Sequence, residues 1–527
     1  MRHSIFSYIS ALCVIFGLYS CSDNWLQEDS LTESSSSTFW KTSDDAMMAL
    51  VACYDGLQSE QLYNGGPWNF GPLNMDCMTD NGGHFNWSGW MEGYDIANGT
   101  HSPSSWAIGS YWSACYEVIK RCNSLIANID RVEIPEADRA RFKAEALTLR
   151  ALIYTNLTMT YNDVPYLTEP LTLENAECPS TKRADIVAGE MACLKECVNA
   201  LPQKADLGRI TKGACYAILG RLALYNEKWD DAISAYKSMQ GLGYSLAPDY
   251  AALFTPSGQN SPEIVFSVRF EGPGQSEGCS FNAHWNTPLE AMNGTLNLAD
   301  DYYYLDGTKA TTQDYAAWVD GKLDVWQPNA AYWDNRDPRL KATLFVPGMY
   351  WNGSGGSSAW YGGAAASLST VYVMKYFDPT DTGNSWDNGQ DFYVVRYAEV
   401  LLSLAEALVQ KGGYQESEVL QLIDQVRQRA GMPTVESVEG TDLSKDALLK
   451  IIKHERRVEL AFEGLRLFDL YRWHELKNAV DAVEYERTYF GMAYEKRTYN
   501  GDRDYVWPIP TGELDSNKQL EQNALWK

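Results

Sequence analysis

Histidine and positive charge are both scarce in this chain. Six histidines are spread over 527 residues, and 43 Lys and Arg face 69 Asp and Glu, a formal net charge of −26. Nucleic-acid binders draw much of their affinity from basic patches, so this balance argues against nucleic acid and against electrostatic docking to anionic lipid. No cysteine pair has CxxC spacing. Cys193 and Cys197 lie one helical turn apart with no histidine near them, so no zinc site is expected. HExxH and the phosphate-cradling P-loop are both missing, which removes the motif-based arguments for metalloprotease and nucleotide chemistry. Past the start of the chain, no stretch of about 18 uncharged apolar residues remains to cross a membrane as a helix.

The start itself is informative. Arg2 and His3 precede an apolar run from Ile5 to Tyr19, long enough for an export signal and too short to span a bilayer of roughly 30 Å. The run ends at Leu18-Tyr19-Ser20-Cys21, which resembles the bacterial lipobox, with Tyr19 bulky for that motif. The expectation is a lipoprotein signal peptide over 1–20, lipid on Cys21, and a polar, serine-rich tether over 21–38. Eleven cysteines less Cys13 and Cys21 leave nine, expected mostly as small buried apolar residues.

The body reads as two regions, 39–265 and 266–527. In the first, apolar residues recur at helical spacing in FWKTSDDAMMALVACYDGLQ, with Ser43 as a cap, in SYWSACYEVIKRCNSLIANID and in RARFKAEALTLRALIYTNLTMTYN. GACYAILGRLALYNEKWDDAISAYKSM sets Leu219-Gly220 in one helix and Ala232 and Tyr236 in the next. This small-residue spacing resembles one tetratricopeptide repeat, with Trp229 capping the second helix. FYVVRYAEVLLSLAEALVQKGGYQESEVLQLIDQVRQRAGMP reads as another helix-turn-helix, within a helical stretch over 391–480 that precedes an extended C-terminal segment. Residues 63–105 and 270–390 break the pattern with Gly, Ser, Asn and aromatics, and long ordered loops in compact domains are usually functional.

Six short motifs follow one another along the chain: NDVPYLTEPL, DPRL, RYAEVLLSLAEAL, VRQRAGMP, HERRVELAFEGLRLFDLYRWHEL and YVWPIPTGELDSNKQLEQN. Together with the lipobox they resemble the SusD/RagB family of outer-membrane nutrient-binding lipoproteins of Bacteroidetes, from Cys21 to Lys527. The resemblance implies a mainly α, SusD-like fold: a tetratricopeptide-like scaffold with an irregular, loop-rich second lobe. It also implies a cell-surface position, docking on a SusC-like TonB-dependent transporter, and a glycan cargo, peptides being associated with some members. Read by themselves, Glu455, Glu459 and Glu463 among apolar residues point to a partly buried ion-pair network, with Arg456, Arg466 and Arg472 as available partners.

Twelve of the eighteen tryptophans fall in 60–112 and 285–386, under a third of the length. Core tryptophans would spread through the helices, whereas rings in Gly/Asn-rich loops can stack on the C–H faces of sugars. The candidates for a glycan site are Asp80, Asn81, Trp87 and Trp90 in the first loop, and Trp285, Asn286, Trp333, Trp351, Trp360 and Tyr361 in the second lobe. Trp106, Trp112 and Trp473 sit in helical text and are expected in the core. No catalytic residue, cofactor or metal ligand is assigned, and whether a calcium ion supports the second lobe is left open. Two alternatives stand beside glycan capture: a peptide-capturing or structural partner of the transporter, and, more remotely, a glycosidase using two of Asp76, Asp80, Glu92, Asp300 and Asp301.

Overall fold

Helices built on interlocking small and apolar residues make up about half of the described residues. The computed structural model describes residues 39–66, 70–84, 92–283, 292–311, 318–319, 322–323, 330–346, 349–352, 358–360, 371–378, 384–489 and 495–527. The export signal, Cys21 and the tether lie outside the described residues. The principal helices are α1 (Ser43–Asp55), α2 (Trp106–Asn128), α3 (Glu136–Thr160), α4 (Arg183–Cys197), α5 (Lys212–Tyr225), α6 (Trp229–Lys237), α7 (Tyr397–Lys411), α8 (Glu416–Arg429), α9 (Lys445–Leu460), α10 (Arg466–Arg472) and α11 (Leu476–Tyr489). Successive helices pack on one another from α2 to α6. The stack then continues into α7, which also packs on α8 and α9.

The α5–α6 pair shows why the small residues are needed. A Cβ on Gly220 would stand 2.5 Å from the Tyr236 ring, so only glycine lets the two helices meet there. Ala232 and Tyr236 are buried on the same contact, as the repeat-like spacing predicts. The cap of α1 is one residue earlier than expected. Thr42, not Ser43, accepts the Asp45 N–H, and the Asp45 carboxylate accepts the Thr42 N–H at 2.7 Å, a reciprocal capping box. Trp112 is buried as expected, but Trp106, at the first turn of α2, is 60% exposed. Trp473 is half-buried, with its indole N–H donating to Glu406 at 2.8 Å and the Arg472 guanidinium over its ring. All nine cysteines of the described body are free. Seven are buried, and Cys178 and Cys193 are half-buried.

FYVVR at 392–396, expected as the start of a helix, is instead a strand. It pairs antiparallel with Ile264–Val268, Phe392 facing Val268 and Arg396 facing Ile264. Its β-branched and aromatic residues are all buried, which suits a strand covered on both faces better than the outer turn of a helix. The helix begins only at Tyr397.

Arg396 closes that strand inside a dry ionic network. It donates to Glu263 at 2.5 Å, to Glu459 at 3.1 Å and to Glu463 at 2.7 and 2.8 Å. Arg429 bridges Glu263 and Glu459, Arg339 reaches Glu455 and Glu459, and Lys375 donates to Glu463 at 2.6 Å. The expected network of Glu455, Glu459 and Glu463 is therefore present, but their partners come from distant segments. The motif's own arginines serve other acids: Arg456 and Arg472 hold Asp469, Arg472 also holds Glu406, and Arg466 holds Asp80. Burial opposes ionisation of Glu459 and Glu463, yet the surrounding cations outweigh it and hold both carboxyls below their usual range. Such a network specifies which segments meet, and breaking one buried pair costs about 3–5 kcal/mol.

Candidate functional site

The two segments that carry the candidate tryptophans meet at a small sheet. Its order is Gly82–His84, Met292–Gly294, Tyr372–Val373, Leu344–Phe345, all neighbours antiparallel. His84 faces Met292. The segment 85–91, bearing Trp87 and Trp90, therefore starts beside the point where 284–291, bearing Trp285 and Asn286, ends. The connection from 346 to 371, bearing Trp351, Trp360 and Tyr361, is anchored at the opposite end of the same strands, a separation of about 7 Å for a three-residue strand. Glycines permit this close pairing. A Cβ on Gly294 would meet Leu344 at 2.5 Å, and one on Gly82 would meet the Asn293 carbonyl at 2.9 Å.

The sheet is fixed to the helical body through charged side chains. Arg466 donates to both carboxylate oxygens of Asp80 at 2.9 and 2.8 Å, and Arg457 lies 3.2 Å from the same carboxylate. Arg457 also donates to Asn81 Oδ1 at 3.0 Å and to the Asp80 carbonyl at 2.6 Å. Burial disfavours the charged form of Asp80, but the two guanidinium groups outweigh it and hold its carboxyl well below the usual carboxylate range. Just past the next strand Thr295 donates its hydroxyl to the Asp80 carbonyl at 2.7 Å. The Glu486 carboxylate then takes the Leu296 and Asn297 N–H groups, both at 2.9 Å. From the C-terminal segment Glu495 accepts the His84 N–H at 2.9 Å. Its partner Arg497 donates to the carbonyls of Cys77, Thr79 and Gly82.

This geometry corrects part of the candidate set. Asp80 and Asn81 are buried at 5% and 0% exposure and serve as the footing of the first loop, so no sugar reaches them. Trp333 is 2% exposed, packed edge-on against Tyr332 at 4.5 Å, and is a core ring. Trp87, Trp90, Trp285, Asn286 and Tyr361 lie outside the described residues. Trp351 and Trp360 belong to a hairpin, Tyr350–Asn352 with Ser358–Trp360, whose register sets Trp351 opposite Ala359 and Trp360 opposite Tyr350. One ring passed over individually was Trp386, which is 51% exposed on the loop-rich lobe. Its position in the tryptophan-rich span was the available signal.

The five acids considered for hydrolysis have separate duties or settings. Asp76 is fully buried, accepts the Phe462 N–H, and is pushed up by burial to about 7. Glu92 is pushed up to about 8, chiefly by burial and then by Glu60. Asp301 pairs with Arg457, and Asp300 accepts the Tyr332 hydroxyl. Among the described residues no group of three or more His, Cys, Asp or Glu is placed to hold a metal ion. No described helix is long and apolar enough to cross a membrane.

Residues 262–526 match the family model described as SusD family, and residues 25–224 match a second, described as starch-binding associating with outer membrane. The chain belongs to the SusD family. It is similar to SusD-like protein P38 of Formosa agariphila, 25% identical with 97% of each chain covered. Among solved structures, it resembles a SusD-like carbohydrate-binding protein of Bacteroides fragilis (25% identical, TM-score 0.74, covering 92% of this chain and 100% of that one). A laminarin-binding SusD-like protein is also similar, at 25% identity and TM-score 0.67, with the same coverage. The mainly α, SusD-like fold expected from the sequence is the fold observed.

Proposed function

We propose that this chain is a non-catalytic, cell-surface glycan-binding lipoprotein. It captures oligo- or polysaccharide on tryptophan-bearing loops and delivers it to a SusC-like TonB-dependent transporter in the outer membrane, to which Cys21 tethers it by lipid. The observation that carries this reading is the His84–Met292 register, which anchors two tryptophan-bearing segments side by side on a sheet locked to the helical body. Family membership and the carbohydrate-binding relatives support the same reading. A ring face covering about 60 Å² of sugar contributes roughly 1.5 kcal/mol at about 25 cal/mol per Å². Two or three rings, less ordering costs, give binding in about the micromolar to millimolar range. Weak capture suits a protein that must hand its cargo on.

A glycan and peptide binding screen on the chain starting after Cys21, with product analysis of each mixture, tests this. Binding to one polysaccharide class without change in chain length supports capture. Binding to peptides alone would replace glycan with peptide as the cargo, and release of shortened glycan would make the protein a hydrolase.

A further inference from the structure

A cavity of about 520 Å³ opens between α9, the end of α8 and the segment from Asp300 to Ala310. Its lining carries Lys309, Arg427, Lys450, Lys453, Arg457 and Arg466, against the carboxylates of Asp300, Asp301, Glu439 and Glu475. In a chain of net charge −26 this is a local reversal of sign. Three of the four acids are already engaged: Asp301 with Arg457, Glu475 with Lys453, and Asp300 with the Tyr332 hydroxyl.

Arg427 is the odd member of its class. Among the described residues nine arginines are buried, and eight of them donate two or more hydrogen bonds to protein. Arg427, at 5% exposure, makes none among the described residues, and its Nε has no partner. Its nearest acid is Glu455 at 3.9 Å, whose closer partner is Arg339 at 2.6 Å. A guanidinium has five donors in a planar fork, and burying it without hydrogen bonds, with only a distant ion pair, is costly unless something in the cavity meets it. At the mouth, Lys309 and Lys450 are exposed, and among the described residues neither has a carboxylate within ion-pair distance. The Tyr303 ring, which Lys309 overhangs at 5.7 Å, is stacked on His454 at 4.2 Å, so it offers no open face to a sugar. The recognition here is of charge.

We infer that this cavity is an oxyanion site, in which the Arg427 fork grips a carboxylate or sulfate group in two-point fashion and Lys309 and Lys450 draw it in. The carrier of that group is an acidic sugar unit, a uronate or a sulfate ester. The carrier rests on the glycan reading above, whereas the oxyanion site does not. Such a site would let the protein discriminate charged glycans from neutral ones independently of the tryptophan loops.

Calorimetric titration of the chain starting after Cys21 with sodium glucuronate, glucose 6-sulfate, inorganic sulfate and glucose tests this. Two variants accompany it: Arg427→Gln, and Lys309→Ala with Lys450→Ala, whose exposed positions leave the fold intact. At least one oxyanion probe is expected to bind where glucose does not. Its affinity should fall about tenfold in Arg427→Gln and severalfold in the rim double variant, and weaken with added salt. Tighter binding of glucuronate or glucose 6-sulfate than of inorganic sulfate supports the sugar carrier. Equal binding of all three would keep the oxyanion site and overturn the sugar. No oxyanion binding, or binding unchanged in the rim variant, would overturn the site itself. Neutral-glycan binding measured on the same samples reports separately on the tryptophan loops.

Discussion

Replacing Asp80 by asparagine keeps the side chain's shape and removes the charge shared by buried Arg457 and half-buried Arg466. Arg466 gives it two hydrogen bonds, at 2.9 and 2.8 Å, and Arg457 stands at 3.2 Å. Arg457 retains Asp301 and Asn81 after the change. Arg466 does not have that reserve, because among the described residues Asp80 is the only carboxylate within ion-pair distance of it. Breaking a buried pair costs about 3–5 kcal/mol, and the asparagine oxygen recovers part of it, so a loss of about 3 kcal/mol is expected. That is roughly two orders of magnitude in the folding equilibrium. Urea unfolding at neutral pH, followed by tryptophan fluorescence, measures it, with a glycan titration on the same variant in buffer. An unchanged unfolding curve together with abolished glycan binding would refute the reasoning. Asp80 would then touch the ligand and would not be the footing of the loop.

Gly220→Ala places a methyl group where the Tyr236 ring lies 2.5 Å away, and is expected to destabilise by about 1–3 kcal/mol; a thermal midpoint equal to wild type would contradict the close approach of α5 and α6. Asp80, Glu459, Glu463, Glu406, Asp469 and Glu495 all have carboxyls held below their usual values. Each contributes stability that is complete above its unfolded value near 4 and is lost as pH falls through the depressed folded value. Asp76 acts in the opposite sense: pushed up to about 7, it favours the fold at low pH and that contribution is lost as pH rises through about 7. Burial also raises Glu92, Glu190, Asp391 and Glu513, but raised carboxyls exert their effect above about pH 4; below it the depressed carboxyls decide, so the urea midpoint should drop steeply there, and a midpoint flat from about pH 5 to pH 2 would count against the buried network.

The helical body was legible because long amphipathic segments and the Gly220–Tyr236 spacing carry a clear period. The glutamates of HERRVEL were recognisable as core charges for the same reason, since apolar residues surround them. Their partners were not, because Arg339, Arg396, Arg429 and Lys375 reach them across tertiary contacts that no local spacing encodes. The four-stranded sheet escaped notice because strands such as Gly82–His84 and Tyr372–Val373 are too short to show alternation. Asp80, Asn81 and Trp333 misled for a related reason. Loop-like composition in 63–105 and 270–390 does not distinguish a residue at a loop's root, which is buried, from one nearer its tip. Trp106 is the converse: the helix around it is real, but the first turn of α2 leaves the ring in solvent.

Tryptophans on the two adjoining segments are proposed to hold a glycan. A double-mutant cycle with Trp87→Ala and Trp285→Ala, titrated with the polysaccharide class found by screening, tests it most directly. Each single change is expected to weaken binding about tenfold without shifting the unfolding curve, and the pair should depart from additivity because the two segments are anchored side by side. Full affinity in both single variants and in the double variant would remove these tryptophans from the binding site.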